Sequence, residues 1–276
     1  MKRVCILYKK EDAEKNRVLI GKYFAALKDR GFIPGLVITD RLPGEAVLRM
    51  VSGCAFVINR GRDHELTRLL EGAGVRVTNP SVLTETANDK LTTFERLSPI
   101  VPMLETKLLP ASGEPPLPYP FVAKPAGGHG GSGVTMIKNE AELEAYRALR
   151  LGKTVVQPVA SELGRDMRVY VIGGKPVAAA LRSSDSDFRS NFSLGGSAKI
   201  VPADSLGEDE KRIVRLVSLA LPLHYAGVDI MRDRGRPILN EIEDPVGARM
   251  LFINTDIDPA ALHVRFAAEL FCENEQ

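Results

Sequence analysis

Three stretches of this sequence combine residue types that handle phosphate, metal and anionic groups. The first is Lys124-Pro-Ala-Gly-Gly-His-Gly-Gly-Ser-Gly133. Glycines let a backbone approach a ligand closely and aim successive N–H groups at it, which suits a phosphate chain. Lys124 stands at the end of a strand signal, just ahead of the loop, where its ammonium can meet a phosphate. The lysine precedes the glycines, so this is not the phosphate loop in which a lysine closes the motif. No helix signal opens directly behind it, which separates it from the dinucleotide fingerprint. A plain surface hairpin is the competing reading, and His129 inside the loop reads as a solvated residue.

The second stretch is acidic. Asp229 lies in Gly-Val-Asp-Ile, and Glu241 and Glu243 lie in Leu-Asn-Glu-Ile-Glu-Asp. Strand positions two apart share a face, so Glu241 and Glu243 point together and Asp229 can join them from a neighbouring strand. Three hard oxygen donors suit magnesium carried with nucleotide phosphates; exposed carboxylates on a solvated strand are the alternative. Paired carboxylates also serve glycoside hydrolysis, but tryptophan is absent and no sugar-stacking aromatics flank these residues. The third stretch is Asp187-Phe-Arg-Ser-Asn191, followed by Gly195-Gly196. Arg189 can bind a carboxylate or phosphoryl group bidentately, and a polar surface loop is the bland reading. His224 precedes the Asp229 strand and reads as a core histidine.

The elements that must position these residues fall into two kinds. Up to about residue 87, strand signals (Val4–Tyr8, Gly35–Thr39, Ala55–Asn59, Val75–Thr78) alternate with helical spacing (Glu14–Arg30, Ala46–Val51, His64–Ala73). That alternation predicts a parallel sheet with crossover helices. Beyond it, Thr86–Leu97 reads as a helix and Leu108–Pro120 as a Pro/Gly/Ser-rich linker. Glycine pairs and Arg234-Gly235 mark hairpins between Arg168–Ile172 and Pro176–Leu181 and between Tyr225–Arg232 and Arg236–Glu243. The expected fold class is thus α/β followed by α+β. Expected units are an N-terminal α/β domain (1–87), a small subdomain with the glycine loop (88–157) and a C-terminal subdomain with the acidic cluster (158–276).

Composition bounds the partners. With 44% hydrophobic and 26% charged residues and a net charge of +2, nothing requires nucleic acid or an acidic membrane. Cys5, Cys54 and Cys272 are scattered, without metal-ligand spacing, and fit a reducing cytoplasm with no disulfide framework. The first apolar run is too short for a signal peptide, and no stretch approaches the roughly 20 apolar residues of a membrane span.

These motifs, in this order, resemble the ATP-grasp enzymes, and among them the RimK-type glutamate ligases and their LysX-like relatives. Asn88-Asp-Lys-Leu91, Phe121-Val-Ala-Lys-Pro125 with its glycine loop, Val155-Val-Gln157, Gly164-Arg-Asp-Met-Arg168 and Asp187-Phe-Arg-Ser-Asn-Phe-Ser-Leu-Gly-Gly196 carry the likeness. So do Ala226-Gly-Val-Asp-Ile230 and Leu239-Asn-Glu-Ile-Glu243. The resemblance implies an ATP-grasp fold behind an N-terminal parallel α/β domain. It implies a ligase joining a small-molecule or peptide carboxylate to an amine through an acyl-phosphate, with glutamate or another amino acid as an adduct. ATP and magnesium, or manganese, are the implied cofactors, and relatives often assemble as homo-oligomers. Carried over, Lys90 and Lys124 hold phosphates under Gly130, Gly131 and Ser132. Gln157, Pro158 and Val159 form the adenine hinge, and Asp166 meets the ribose. Asp229, Glu241 and Glu243 hold metal, and Arg189 and Asn191 meet the γ-phosphate and substrate carboxylate. Arg182 and Arg168 are further anion-binding candidates. Three positions depart from the pattern: Glu243 replaces the usual Asn, the hinge reads Pro158-Val159, and Asp244-Pro-Val-Gly247 replaces Ser-Pro-Gly. A nucleotide-binding relative without ligase activity, or an ATP-grasp kinase, is the alternative these departures motivate.

Overall fold

A strand covered on both faces must be apolar at every position rather than at alternate ones. The strand β1 (Arg3–Tyr8) is buried throughout after Arg3 in the computed structural model, which describes residues 2–184 and 197–273. It lies at the centre of a parallel sheet with β2 (Ile33–Ile38), β3 (Phe56–Asn59) and β4 (Val77–Thr78), in the order β2-β1-β3-β4. The crossovers carry α1 (Lys10–Lys15), α2 (Arg17–Asp29), α3 (Gly44–Val51) and α4 (His64–Gly72).

The helix expected over Glu14–Arg30 is two. Asn16 leaves helical geometry (φ −108°, ψ 24°) while its side-chain amide donates to the Asp12 carbonyl at 2.8 Å. A local side-chain bond of this kind competes with the helix ladder. The same happens over Thr86–Leu97, which divides between α5 (Ser81–Ala87) and α6 (Lys90–Leu97). Asp89 breaks the run because its carboxylate caps α6, accepting from the N–H groups of Leu91 and Thr92, both at 3.0 Å. Lys90 is thereby placed on the first turn of a helix, at the edge of the glycine loop.

The second sheet is antiparallel, in the order β5-β8-β6-β7, from β5 (Lys107–Leu108), β6 (Phe121–Pro125), β7 (Thr135–Ile137) and β8 (Thr154–Pro158). The helix α7 (Glu140–Ala148) packs on it through Leu143 and Tyr146. The short β5 and β7 carry no clear alternation in sequence and take their form from pairing with β8 and β6. The glycine loop spans β6 to β7.

The third sheet is also antiparallel, in the order β11-β10-β9-β12-β13. Its strands are β9 (Arg165–Ile172), β10 (Lys175–Ser183), β11 (Ser197–Pro202), β12 (Tyr225–Asp233) and β13 (Arg236–Glu243). Both expected hairpins form. Gly173 and Gly174 have φ of 58° and 76°, and Arg234 and Gly235 have 50° and 76°, the two positive angles that a tight antiparallel turn matching the strand twist requires. One face carries α8 (Glu208–Ala220) on Val169, Val171, Val228 and Ile242. Towards one end, the other face packs on α9 (Arg249–Asn254) through Tyr170, Tyr225, Met250 and Leu251. The helix α10 (Pro259–Ala268) returns to the first sheet, where Val264 and Ala267 pack with Leu19 and Leu27 of α2. No helix among the described residues is long and apolar enough to cross a membrane.

A buried polar lock joins the first sheet to the third. Asn79, just after β4, is fully buried with φ 52°. Its amide nitrogen donates to the Tyr225 carbonyl at 2.8 Å and to Asp244 Oδ1 at 2.6 Å, and its oxygen accepts from the Tyr225 N–H at 2.9 Å. Thr84 donates to Asp244 Oδ2 at 2.9 Å. Arg60, also buried, donates to the Val246 carbonyl and lies 4.9 Å over the Tyr225 ring. Asn79→Ala strands the Tyr225 backbone groups and one donor-acceptor pair of Asp244, and each buried group left unsatisfied costs about 1–3 kcal/mol. The expected loss in urea unfolding is therefore on the order of 3 kcal/mol, with Asn79→Gly about 1 kcal/mol less harmful because it adopts positive φ freely. Wild-type stability in both variants would show the lock to be dispensable.

Candidate active site

Strand register gathers the charged side chains on one face of the third sheet. Asp229 stands opposite Arg168 on β9 and opposite Glu241 on β13, while Glu243 faces Gly227 and Arg182 faces Asp166. Since side chains alternate along a strand, Asp166 joins Arg168 and Glu243 joins Glu241 on that face. A bulge follows directly: Asp229 pairs with Glu241 but Ile230 with Leu239, so Asn240 is an extra residue. Bulges re-aim side chains, and here Asn240 and Glu241 both line the cleft beside the sheet.

Asp229 is wholly buried, and an isolated carboxylate there would be prohibitively costly. Two arginines compensate it. Arg168 donates from Nε to Oδ1 and from Nη2 to Oδ2, each at 2.7 Å, and Arg182 donates to Oδ2 at 2.7 Å. Arg168 Nη2 also reaches Glu243 Oε2 at 2.8 Å, and Arg182 forks onto Asp166, with Nε 2.6 Å from Oδ1. Burial alone would raise the Asp229 carboxyl, but the guanidiniums of Arg168 and Arg182 overcome that and hold it below its ordinary value. Gly227 makes the arrangement sterically feasible: a Cβ there would stand 3.2 Å from Glu243 Cβ and 3.3 Å from Arg168 Cδ.

Asp229, Glu241 and Glu243 each present a carboxylate oxygen within 4.8 Å of the others. Asp229 Oδ1 accepts one arginine bond and so retains a lone pair. Glu241 lines the cleft, and Glu243 is partly exposed. An all-oxygen set beside a phosphate-sized space fits a hard divalent cation. The extra charge of Glu243 is offset by its ion pair with Arg168.

The cleft runs between the second and third sheets. Lys90, Val122, Lys124 and Gln157 line one wall, Asp166, Met231 and Glu241 the other, and Gly130, Gly131 and Ser132 the rim. Lys90 Nζ donates to the Gly128 carbonyl at 2.6 Å and lies 3.7 Å from Glu241. The loop is thus tied down from the side of the cleft that carries Glu241. Burial lowers the Lys124 ammonium to about 8, with Glu241 opposing and Lys90 reinforcing the shift.

Most candidate residues therefore converge. Pro158 lines the cleft, whereas Val159 does not and Ala160 does. The Gln157 side chain is committed to Thr106 Oγ1 at 2.7 Å, leaving backbone groups at the hinge. Asp166 reaches the cleft while ion-paired with Arg182. Arg189 and Asn191 lie outside the described residues. His129 is exposed, and His224 is structural: its Nδ1 accepts the Asn79 N–H at 3.1 Å, and burial pushes it down to about 4. Asn240 and Glu162 also line the cleft, although no sequence motif assigns them there. The bulge is invisible in sequence, whereas Glu162, four residues before Asp166, was an available polar signal.

Residues 107–265 match the model of the RimK-like ATP-grasp domain. The chain is 35% identical over 152 residues to a probable alpha-L-glutamate ligase of Sodalis glossinidius, a match covering 53% of this chain and 50% of that one. The matched part therefore spans about half the length of that relative. Among solved structures, the RimK domain ATP-grasp protein of Sphaerobacter thermophilus is similar with a TM-score of 0.70, 18% identity and 96% and 99% coverage of the two chains. The D-alanine–D-alanine ligase of Bacillus anthracis, complexed with ATP, is similar with a TM-score of 0.72, 14% identity and 99% and 100% coverage. These two likenesses are of fold.

Removing Arg168 exposes Asp229 and Glu243 to each other without their shared cation. Breaking a buried pair from one side costs about 3–5 kcal/mol, so Arg168→Met is expected to lose that much at neutral pH. Because the Asp229 carboxyl is depressed, its stabilising contribution is present above the ordinary carboxylate range and lost on acidification. The deficit of the variant accordingly shrinks as pH falls below about 4. Urea midpoints at neutral and acidic pH measure it, and a pH-independent deficit would contradict the charge argument.

Proposed function

The chain belongs to the RimK-like ATP-grasp family, and from that premise we propose that it is an ATP- and magnesium-dependent ligase joining a carboxylate to an amine through an acyl-phosphate. The observation that carries this reading is one cleft lined by two lysines, a glycine loop and Glu241, with Asp229 and Glu243 placing carboxylate oxygens within 4.8 Å of that of Glu241.

Lys90 and Lys124 meet the nucleotide phosphates, and the glycine loop covers them. The hinge after β8 reads adenine through backbone groups at Gln157 and Ala160, since Pro158 has no N–H. Asp166 orients Arg182, and the ribose falls to Glu162 together with Asp166. Asp229, Glu241 and Glu243 would hold a divalent cation, which when bound would offset charge on the transferring phosphoryl group. The substrate carboxylate attacks the γ-phosphate with ADP as leaving group, and the acyl-phosphate then yields to the amine with release of phosphate. The protein's part is to align the reactants, supply fixed cations and exclude water. Arg189 and Asn191 are assigned to the γ-phosphate and substrate carboxylate on the motif alone. The name of the Sodalis relative makes glutamate the first amine to test, with free amino acids and peptides as carboxylates.

ADP release with ATP and magnesium, scanned over such pairs, tests the reaction. Release requiring both carboxylate and amine supports a ligase; release with a carboxylate alone and a stable phosphorylated product would make it a kinase. Asp229→Asn and Glu241→Gln are each expected to lower turnover by at least about 100-fold, and near-normal turnover in either would refute the metal assignment. Lys124 is charged below its lowered value of about 8 and neutral above it. ATP affinity by calorimetry should therefore weaken as pH rises through that value, and Lys124→Arg should flatten the profile. A flat wild-type profile would remove Lys124 from the phosphate site.

A further inference from the structure

Two thiols 49 residues apart in sequence meet in the first sheet, remote from the cleft. Cys5 lies in the middle of β1 and Cys54 just before β3, and their sulfurs are hydrogen-bonded at 3.4 Å. Both are free. We propose that Cys5 and Cys54 are a reversible dithiol that closes to an intramolecular disulfide on reaction with small-molecule disulfides.

The two thiols differ in the way such a pair requires. Cys5 is 3% exposed, packed among Val37, Val47 and Val57. Cys54 is half-buried and follows the exposed turn Ser52-Gly53, so an incoming disulfide can reach it. The hydrogen bond shared with Cys5 lowers the Cys54 thiol below its ordinary value, against burial, with Arg3 alongside. Cys5 moves the opposite way and keeps its proton. Thiolate character and access select the attacking sulfur, so Cys54 attacks and Cys5 resolves. Cys5 pairs in register with Gly35, where a Cβ would come within 3.2 Å of the Cys5 sulfur. The absence of that carbon lets the Cys5 sulfur sit beside β2 without a clash, while Cys54 approaches from the opposite, β3 side, so closing to the bonded distance of about 2.0 Å moves the segment after the exposed Ser52-Gly53 turn towards Cys5.

The chemistry balances with the disulfide as oxidant. The Cys54 thiolate attacks one sulfur of the small disulfide, forming a mixed disulfide and expelling a thiolate. Cys5, losing its proton to that thiolate, attacks the Cys54 sulfur and expels the second thiolate. Two protein thiols are oxidised and one small disulfide is reduced to two thiols. The product ties β1 to the segment entering β3, while Cys272 packs in a different cluster with Phe271 and takes no part.

The test uses the whole chain and oxidised glutathione, followed by alkylation, intact mass and peptide mapping. The expected product has lost two hydrogens, yields a Cys5–Cys54 linked peptide pair, retains an alkylated Cys272 and returns to the dithiol with dithiothreitol. Cys5→Ser should instead stop at one glutathione on Cys54. A wild-type protein that keeps both thiols alkylatable, or that accumulates a stable glutathione adduct without closing, overturns the proposal. In the reduced protein, iodoacetamide should label Cys54 first; labelling of Cys5 first overturns the assignment of the attacking thiol.

Discussion

A carboxylate with no solvent contact sits at the centre of the third sheet, and its charge governs what surrounds it. Asp229 cannot stay ionised there unless cations are delivered at fixed positions. The register of three strands delivers them: Arg168 directly opposite on β9, and Arg182 one strand further on β10. Each arginine then needs a second anion for its remaining donors. Glu243 and Asp166 fill that need and extend the alternation of sign across the sheet. Three carboxylates and two guanidiniums thus hold one another in place, and the geometry of the array is fixed by these pairs alone.

That geometry depends on groups that do no chemistry. Gly227 leaves the volume in which Arg168 and Glu243 meet. The bulge at Asn240 turns Glu241 towards Lys90 and the cleft while keeping Leu239 in the core. Asp244, immediately after Glu243, is tied to Asn79 and Thr84 of the N-terminal part of the chain. The first sheet therefore fixes the end of the strand that carries two of the three candidate metal ligands. Replacement of the family's usual serine by Asp244 has a structural consequence: a carboxylate with two oxygens can take one bond from each of these two partners.

The substitution of Glu243 for asparagine has an equally local account. An asparagine at this position could not offset the second face of Arg168 with charge. The ion pair keeps Glu243 from adding an uncompensated charge beside Asp229 and Glu241, and it engages only one of the two Glu243 oxygens. Pro158, by contrast, leaves its own position in the cleft wall without a backbone donor.

The alternation of strands and helices over the first 87 residues, the two hairpins, and the pairing of Glu241 with Glu243 on one face were all legible in the sequence. Each rests on a local rule of periodicity or turn chemistry, and local rules survive folding. Helix breaks at Asn16 and Asp89 were less legible, because a side chain competing for backbone bonds leaves no mark on hydrophobic spacing. The short β5 and β7 exist only through their partners. The sequence by itself determined which residue types could meet phosphate and metal, and in what order they follow along the chain. Tertiary structure alone decided that Arg168 and Arg182 compensate Asp229, that Asn240 bulges, that Asn79 braces Asp244 and that Cys5 touches Cys54. Those pairings join residues far apart in the chain, and a contact set by strand register and domain packing has no period or motif from which to read it.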